Sequence, residues 1–135
     1  MKTKLLLFIT SLVLTALVSC EKDAGLLPKI NFKTGGSYLS ADATLAGGSD
    51  FKIGITASKS EDKDVLKKLN VSAAANGGAA STIFSKDLSG SEGDVLDYDF
   101  TGKVESNAGQ KTKYTFTVTN RDGLVNQVFL TITTQ

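Results

Sequence analysis

Cys20 is the only thiol in the chain, so whatever chemistry it performs is not an internal disulfide. The chain has no histidine and no tryptophan. Losing histidine removes the usual general base near neutral pH and the commonest metal ligand. Among the acidic residues, Asp94, Asp97 and Asp99 lie close in sequence, and Asn120 and Asp122 could add oxygens from a turn. A hard cation needs several oxygens converging at about 2.3–2.6 Å, and no Asp-x-Asp-x-Asp-Gly loop with a closing Glu is present. Asp97 and Asp99 alternate with Tyr98 and Phe100, which places them on the solvent face of a strand. No metal site is assigned. Paired carboxylates could also serve glycoside hydrolysis. Scattered acids in a short chain form such pairs by accident, however, and the nucleophile–base sets that use His or a catalytic Cys are missing. No catalytic residue and no cofactor are assigned, and a non-enzymatic protein is expected.

The position of Cys20 is informative. Lys2 and Lys4 precede Leu5 to Val18, a run without charge. As a helix it would reach only about 21 Å, short of the ~30 Å hydrocarbon core of a bilayer. A cleaved signal peptide over residues 1–19 fits better than a membrane-spanning helix. The run ends in Leu17-Val18-Ser19-Cys20, which resembles the lipobox of bacterial lipoproteins. That resemblance implies a thiol joined to diacylglycerol, cleavage before Cys20 and acylation, with palmitate-type chains, of the new amine. Two or more acyl chains make a stable membrane anchor where one does not. Glu21-Lys22-Asp23 is similar to the Cys-X-Lys-Asp/Glu export signal of Bacteroidota lipoproteins. It implies the outer face of the outer membrane, with a periplasm-facing outer-membrane location as the alternative. Residues 20–29 are then a lipidated cysteine and its tether, ending near Pro28, the only proline.

The rest of the chain supplies the elements. Apolar and polar residues alternate in five runs, led by Phe51-Ile53-Ile55-Ala57, Leu69-Val71-Ala73, Leu96-Tyr98-Phe100, Tyr114-Phe116-Val118 and Val128-Leu130-Ile132. Alternation with β-branched and aromatic residues marks half-buried strands. Shorter candidates are Ile30–Lys33, Ala43–Leu45 and Thr82–Ser85. Glycine-bearing turns separate them, including Asn76-Gly77-Gly78 and Asn120-Arg121-Asp122-Gly123. One segment departs from the pattern. Ser58 to Leu69 has capping-box spacing between Ser58 and Glu61, with Val65, Leu66 and Leu69 able to line one face of a short helix. A turn or two of helix is expected there. The whole predicts an all-β fold, an antiparallel sandwich of about seven or eight strands over residues 30–135.

The segment Tyr114-Thr-Phe116-Thr-Val118-Thr-Asn120-Arg-Asp122-Gly123, followed by Val128-Phe-Leu130-Thr-Ile132, is similar to the last two strands of bacterial immunoglobulin-like and polycystic-kidney-disease-type repeats. Those read Tyr-x-Val-x-Val-x-Asp-x-x-Gly, and Asn120 stands at the Asp position. The Trp-Asp-Phe-Gly-Asp-Gly signature of the second family is not present; residues Asp97 to Gly102 are a faint echo of it. The resemblance implies an immunoglobulin-like sandwich that serves as a spacer, adhesion module or glycan-binding unit.

Charge and aromatic placement bound the partners. The chain has 15 basic and 14 acidic residues, and cleavage would remove Lys2 and Lys4. A nearly neutral body gives no basis for nucleic-acid binding. Sugar recognition would need exposed rings. Most aromatics fall in core phase, leaving Tyr38, Phe84 and Phe129 as surface candidates, with Phe129 out of phase with its apolar neighbours. A ring covered by a neighbouring loop is the reading weighed more heavily. Lys67-Lys68 and the Lys111/Lys113 pair read as solubilising and edge-protecting charge. The expected function is a lipid-anchored, non-catalytic surface protein presenting its sandwich to a protein or glycan. The alternative is a glycan-binding accessory of a polysaccharide-uptake system.

Overall fold

Each alternating run forms a strand whose apolar side faces a second sheet. The computed structural model describes residues 24–135. They contain β1 (Lys29–Phe32), β2 (Ala43–Leu45), β3 (Asp50–Ser58), β4 (Leu66–Ala75), β5 (Ser81–Asp87), β6 (Val95–Lys103), β7 (Lys111–Asn120) and β8 (Val125–Thr134). A single 3-10 turn covers Gly90–Gly93. The strands make a three-stranded sheet in the order β1-β3-β6 and a five-stranded sheet in the order β2-β8-β7-β4-β5. This is an immunoglobulin-like sandwich, in which the N-terminal strand is shared between the two sheets. β1 pairs antiparallel with β3. The chain then crosses to the other sheet through Gly35 and Gly36, both at positive φ, and β2 pairs parallel with β8. The five-stranded sheet is therefore mixed, whereas the alternation had suggested an antiparallel sandwich throughout.

The two inner faces meet in one core. Ile53, Ile55, Leu66, Leu69, Val71, Phe116 and Val118 have no exposed surface. Phe51, Phe100 and Tyr114 form a mutually tilted trio with ring centroids 5.2–6.0 Å apart. Such tilted contacts suit the ring quadrupoles better than a face-to-face sandwich. Phe84, on edge strand β5, stacks on Tyr98 of edge strand β6 at 5.0 Å and closes the sandwich along that side.

The expected helix is absent. Ser58 is the last residue of β3, and residues 59–65 form a turn-rich loop leading into β4. The spacing of Leu66 and Leu69, which suits a helix face, has another cause. Leu66 pairs with Asn120 and Lys68 with Thr119, so Lys67 is an extra residue in a β-bulge. The bulge resets the side-chain phase and lets residues three apart enter the same core. Glu61 does not cap a helix. Its Oε2 accepts the Leu26 amide at 3.1 Å.

That contact belongs to a set that stitches the N-terminal segment to one end of the sandwich. Ser60 Oγ donates to the Leu27 carbonyl at 2.6 Å, and Asn126 Nδ2 donates to the Pro28 carbonyl at 2.9 Å. Pro28 itself is fully buried. The last residues read as tether are thus bound to the body. The lipobox residues Leu17, Val18 and Ser19, the lipidation candidate Cys20, and Glu21-Lys22-Asp23 lie outside the described residues.

Candidate functional site

The strand pattern gives each sheet an outer face, and the residues singled out in the sequence are divided between them. Tyr38 joins the outer face of the three-stranded sheet through a parallel bridge to Lys52. Its hydroxyl donates to Asp99 Oδ2 at 2.9 Å, and the Lys52 ammonium lies 4.5 Å from its ring centroid. Lys33 pairs with Asp97 and, at 2.7 Å, with Asp99, while Lys52 reaches Asp99 at 2.8 Å. Asp94, the third of the clustered acids, pairs with Lys59 at 2.7 Å. The three carboxylates are spent on lysines instead of converging on one point. Hydrogen bonds from Lys33 and then Lys52 hold the Asp99 carboxyl well below the usual carboxylate range. Those to Asp97 and then Asp99 push the Lys33 ammonium above the usual lysine range. A hollow of about 560 Å³ adjoins this network, but its lysines, Lys52 and Lys103, already pair with Asp99 and Asp50.

Asn120, the other candidate oxygen donor, is buried at the β7–β8 turn. Gly123, at positive φ, donates its amide to the Asn120 carbonyl, which fixes the turn. The Asn120 side chain accepts the Leu124 amide at 2.8 Å and donates to Asp64 Oδ2 at 2.6 Å. Asp64 is only 1% exposed. No sequence signal picked it out, because it sits in a charged run that read as a helix. Asp122 pairs with its neighbour Arg121 at 3.7 Å.

The three candidate aromatics do not share a surface. Phe84 is packed in the seam and Tyr38 is enclosed by its lysines. Phe129 stands on the outer face of the five-stranded sheet and is 53% exposed. Register puts Thr115 opposite Phe129 and Lys113 opposite Thr131. Lys113 therefore lies diagonal to Phe129 on the same face, and its Nζ is 3.8 Å from the ring centroid. Beside them is a groove of about 450 Å³ lined by Lys111, Lys113, Thr115 and Thr131, with the β4–β5 turn as its wall.

The wall is held in place by the sequence Asn76-Gly77. Both residues have positive φ, as a type I′ turn requires, and the Gly78 amide closes that turn on the Ala75 carbonyl at 2.9 Å within the longer β4–β5 connection. Asn76 then clamps β7: its amide donates to the Lys111 carbonyl at 2.7 Å, and its Oδ1 accepts the Lys111 amide at 2.9 Å. Unlike Lys33, Lys52, Lys59, Lys86 and Lys103, neither Lys111 nor Lys113 pairs with a carboxylate among the described residues. The groove is therefore a small concavity carrying two ammonium groups with no carboxylate partner among the described residues and two hydroxyls, with the exposed Phe129 ring beside it. The sequence marked Phe129 and the lysine pair separately; only the cross-strand register brings them together.

No family model matches the chain, and no curated protein matches it. Among solved structures it is similar to the sporulation control protein Spo0M from Bacillus subtilis, with a TM-score of 0.48 and 11% identity over 82% of this chain and 50% of that one. The chain thus spans half the length of that neighbour. Among the described residues no helix is long and apolar enough to cross a membrane.

Proposed function

We propose that this chain is a non-catalytic lipoprotein, anchored through Cys20 in the outer membrane and facing the cell surface, that presents the outer face of its five-stranded sheet to a partner. The observation that carries this reading is the polarity of the body. The N-terminal segment is stitched to the end that bears Asn120, Ser60 and Asn126. The groove beside Phe129 is at the other end, where Lys111 begins β7 and the β4–β5 turn packs against it. β7 has ten residues, so the two ends are separated by about 30 Å at ~3.3 Å per residue. A body tethered at its first residues holds such a groove away from the bilayer, where a partner can reach it.

The anchor is tested by acyl-lipid labelling of the full chain against Cys20→Ser. Label and membrane retention are expected in the first and lost in the second; equal labelling removes the lipoprotein reading. Protease accessibility of the anchored protein on intact cells separates surface exposure from a periplasm-facing location.

A further inference from the structure

We infer that the groove between Phe129 and the Asn76-Gly77 turn is a binding site for a carboxylate-bearing saccharide. The inference rests on the display reading above for its biological setting, but its physical basis is the groove itself. Two chemistries line the groove and a third borders it. The exposed Phe129 ring offers a flat apolar surface, the kind of face on which the C–H side of a pyranose packs. Thr115 and Thr131 offer hydroxyls that both donate and accept hydrogen bonds. Lys111 and Lys113 offer ammonium charge with no internal counter-ion.

A ligand that uses all three needs an apolar face, several hydroxyls and an anionic group on one rigid ring. A uronic acid has them. A neutral sugar leaves the ammonium groups unused, and inorganic phosphate leaves the ring unused. The volume, about 450 Å³, falls within the roughly 300–1,000 Å³ typical of small-molecule sites. The site is also built before any ligand arrives. Lys113, Thr115, Phe129 and Thr131 stand on paired strands, and the wall is fixed by two hydrogen bonds between Asn76 and Lys111. The Lys113 ammonium covers one face of the ring, 3.8 Å from its centroid, so a sugar stacking on that face moves the ammonium aside and meets it with its carboxylate.

The contrast with the opposite sheet locates the site. There Tyr38 and its lysines are closed into a network with Asp97 and Asp99, leaving no net charge for a ligand to neutralise. Lysine and aromatic occur together on both faces, but on the β7–β8 face Lys111 and Lys113 pair with no carboxylate among the described residues; the nearby Asp42 carboxylate accepts the Thr131 amide.

The test is calorimetric titration of the full chain, kept in mild detergent, with three probes of matched length: an oligogalacturonide, a neutral oligogalactoside and an oligoglutamate peptide. The oligogalacturonide is expected to bind at least about tenfold more tightly than either other probe, and more weakly as salt rises. Phe129→Ala is expected to abolish binding, and the double variant Lys111→Gln/Lys113→Gln to weaken it about tenfold, since each exposed ion pair contributes little alone. These are surface substitutions, and an unchanged circular dichroism spectrum verifies folding. Equal affinity for the acidic and neutral sugars, tighter binding of the peptide, no binding of the oligogalacturonide, or retention of binding in Phe129→Ala overturns the inference. Titration in detergent reads the groove whether or not Cys20 is acylated, so failure here is distinguishable from failure of the anchor.

Discussion

The ring of Tyr38 occupies the space into which Gly54 would project a side chain. A Cβ added to Gly54 would stand 2.6 Å from Tyr38 Cε1 and 2.6 Å from Lys33 Cδ. Gly54 points outward in β3, yet it is buried because these two side chains lie across it. The Gly54→Ala substitution is expected to lift Tyr38 off the sheet, detach the crossover between β1 and β2, and lower stability by about 1–2 kcal/mol. Urea denaturation monitored by circular dichroism measures it; a variant as stable as the parent would show that the Tyr38 seat contributes nothing.

Protonation should act on the same network in a defined direction. The Asp99 carboxyl is held below its ordinary value, so its contribution is present above the ordinary carboxylate range, ~3.9, and is lost as pH falls through the still lower folded value. Lys33 is raised, so its contribution is present below ~10.4 and is lost only as pH rises beyond that. Between these limits the network is intact. The urea midpoint of Asp99→Asn is expected to lie below the parent's by a constant amount from about pH 6 to 9. The gap should start to shrink in acid below about pH 4, go on shrinking as pH falls further, and narrow in high salt. A gap as wide at pH 2 as at pH 7 would contradict the assignment.

The buried pair at the end where Leu26–Pro28 is stitched to the body should be less forgiving. Asn120→Ala removes the donor to Asp64 and orphans the Leu124 amide, at an expected cost of about 2–4 kcal/mol. Asn120→Asp places a second carboxylate against Asp64. It is expected to destabilise near neutral pH and to recover partly in acid, as one of the two acids takes a proton. Thermal melts at pH 7 and pH 4.5 would resolve the two variants.

Closure of the sandwich along its β5–β6 side depends on Phe84. The ring is half-buried and stacks on Tyr98 with an interplanar angle of 19°. Phe84→Ala is expected to cost about 1–3 kcal/mol, less than a fully buried Phe because part of the ring is already wet. Amide exchange should quicken in β5 and β6 before β7. Uniform protection across both sheets would place closure elsewhere.

The core was readable because it obeys one local rule. Ile53, Ile55, Phe116, Val118 and Leu130 alternate with polar residues, and all are buried. The rule failed where a single residue broke the phase. Lys67 shifts β4 by one position, so Leu66 and Leu69 mimic a helical stripe while lying on one strand face. The aromatics show a second limit. Phe129 was legible as outward from its phase alone, but the burial of Phe84 depends on Tyr98, two elements away in the other sheet. The juxtaposition of Lys113 and Phe129 depends on the β7–β8 register, which the turn Asn120–Gly123 sets. The Asn120–Asp64 pair was not legible at all, since neither residue carries a periodic signal and their partnership spans 56 positions.

The stitching of Leu26–Pro28 has a mechanical consequence. β1 leaves that end of the body and runs along β3. Tension drawn between the first residues and an object gripped beside Lys111 would pull parallel to the strands. Hydrogen bonds arranged across such a pull are strained in shear, many at once, whereas a pull across the sheet would unzip them in turn. A body moored through its N-terminus as proposed, and gripping a partner beside Lys111, would be oriented to resist being torn loose.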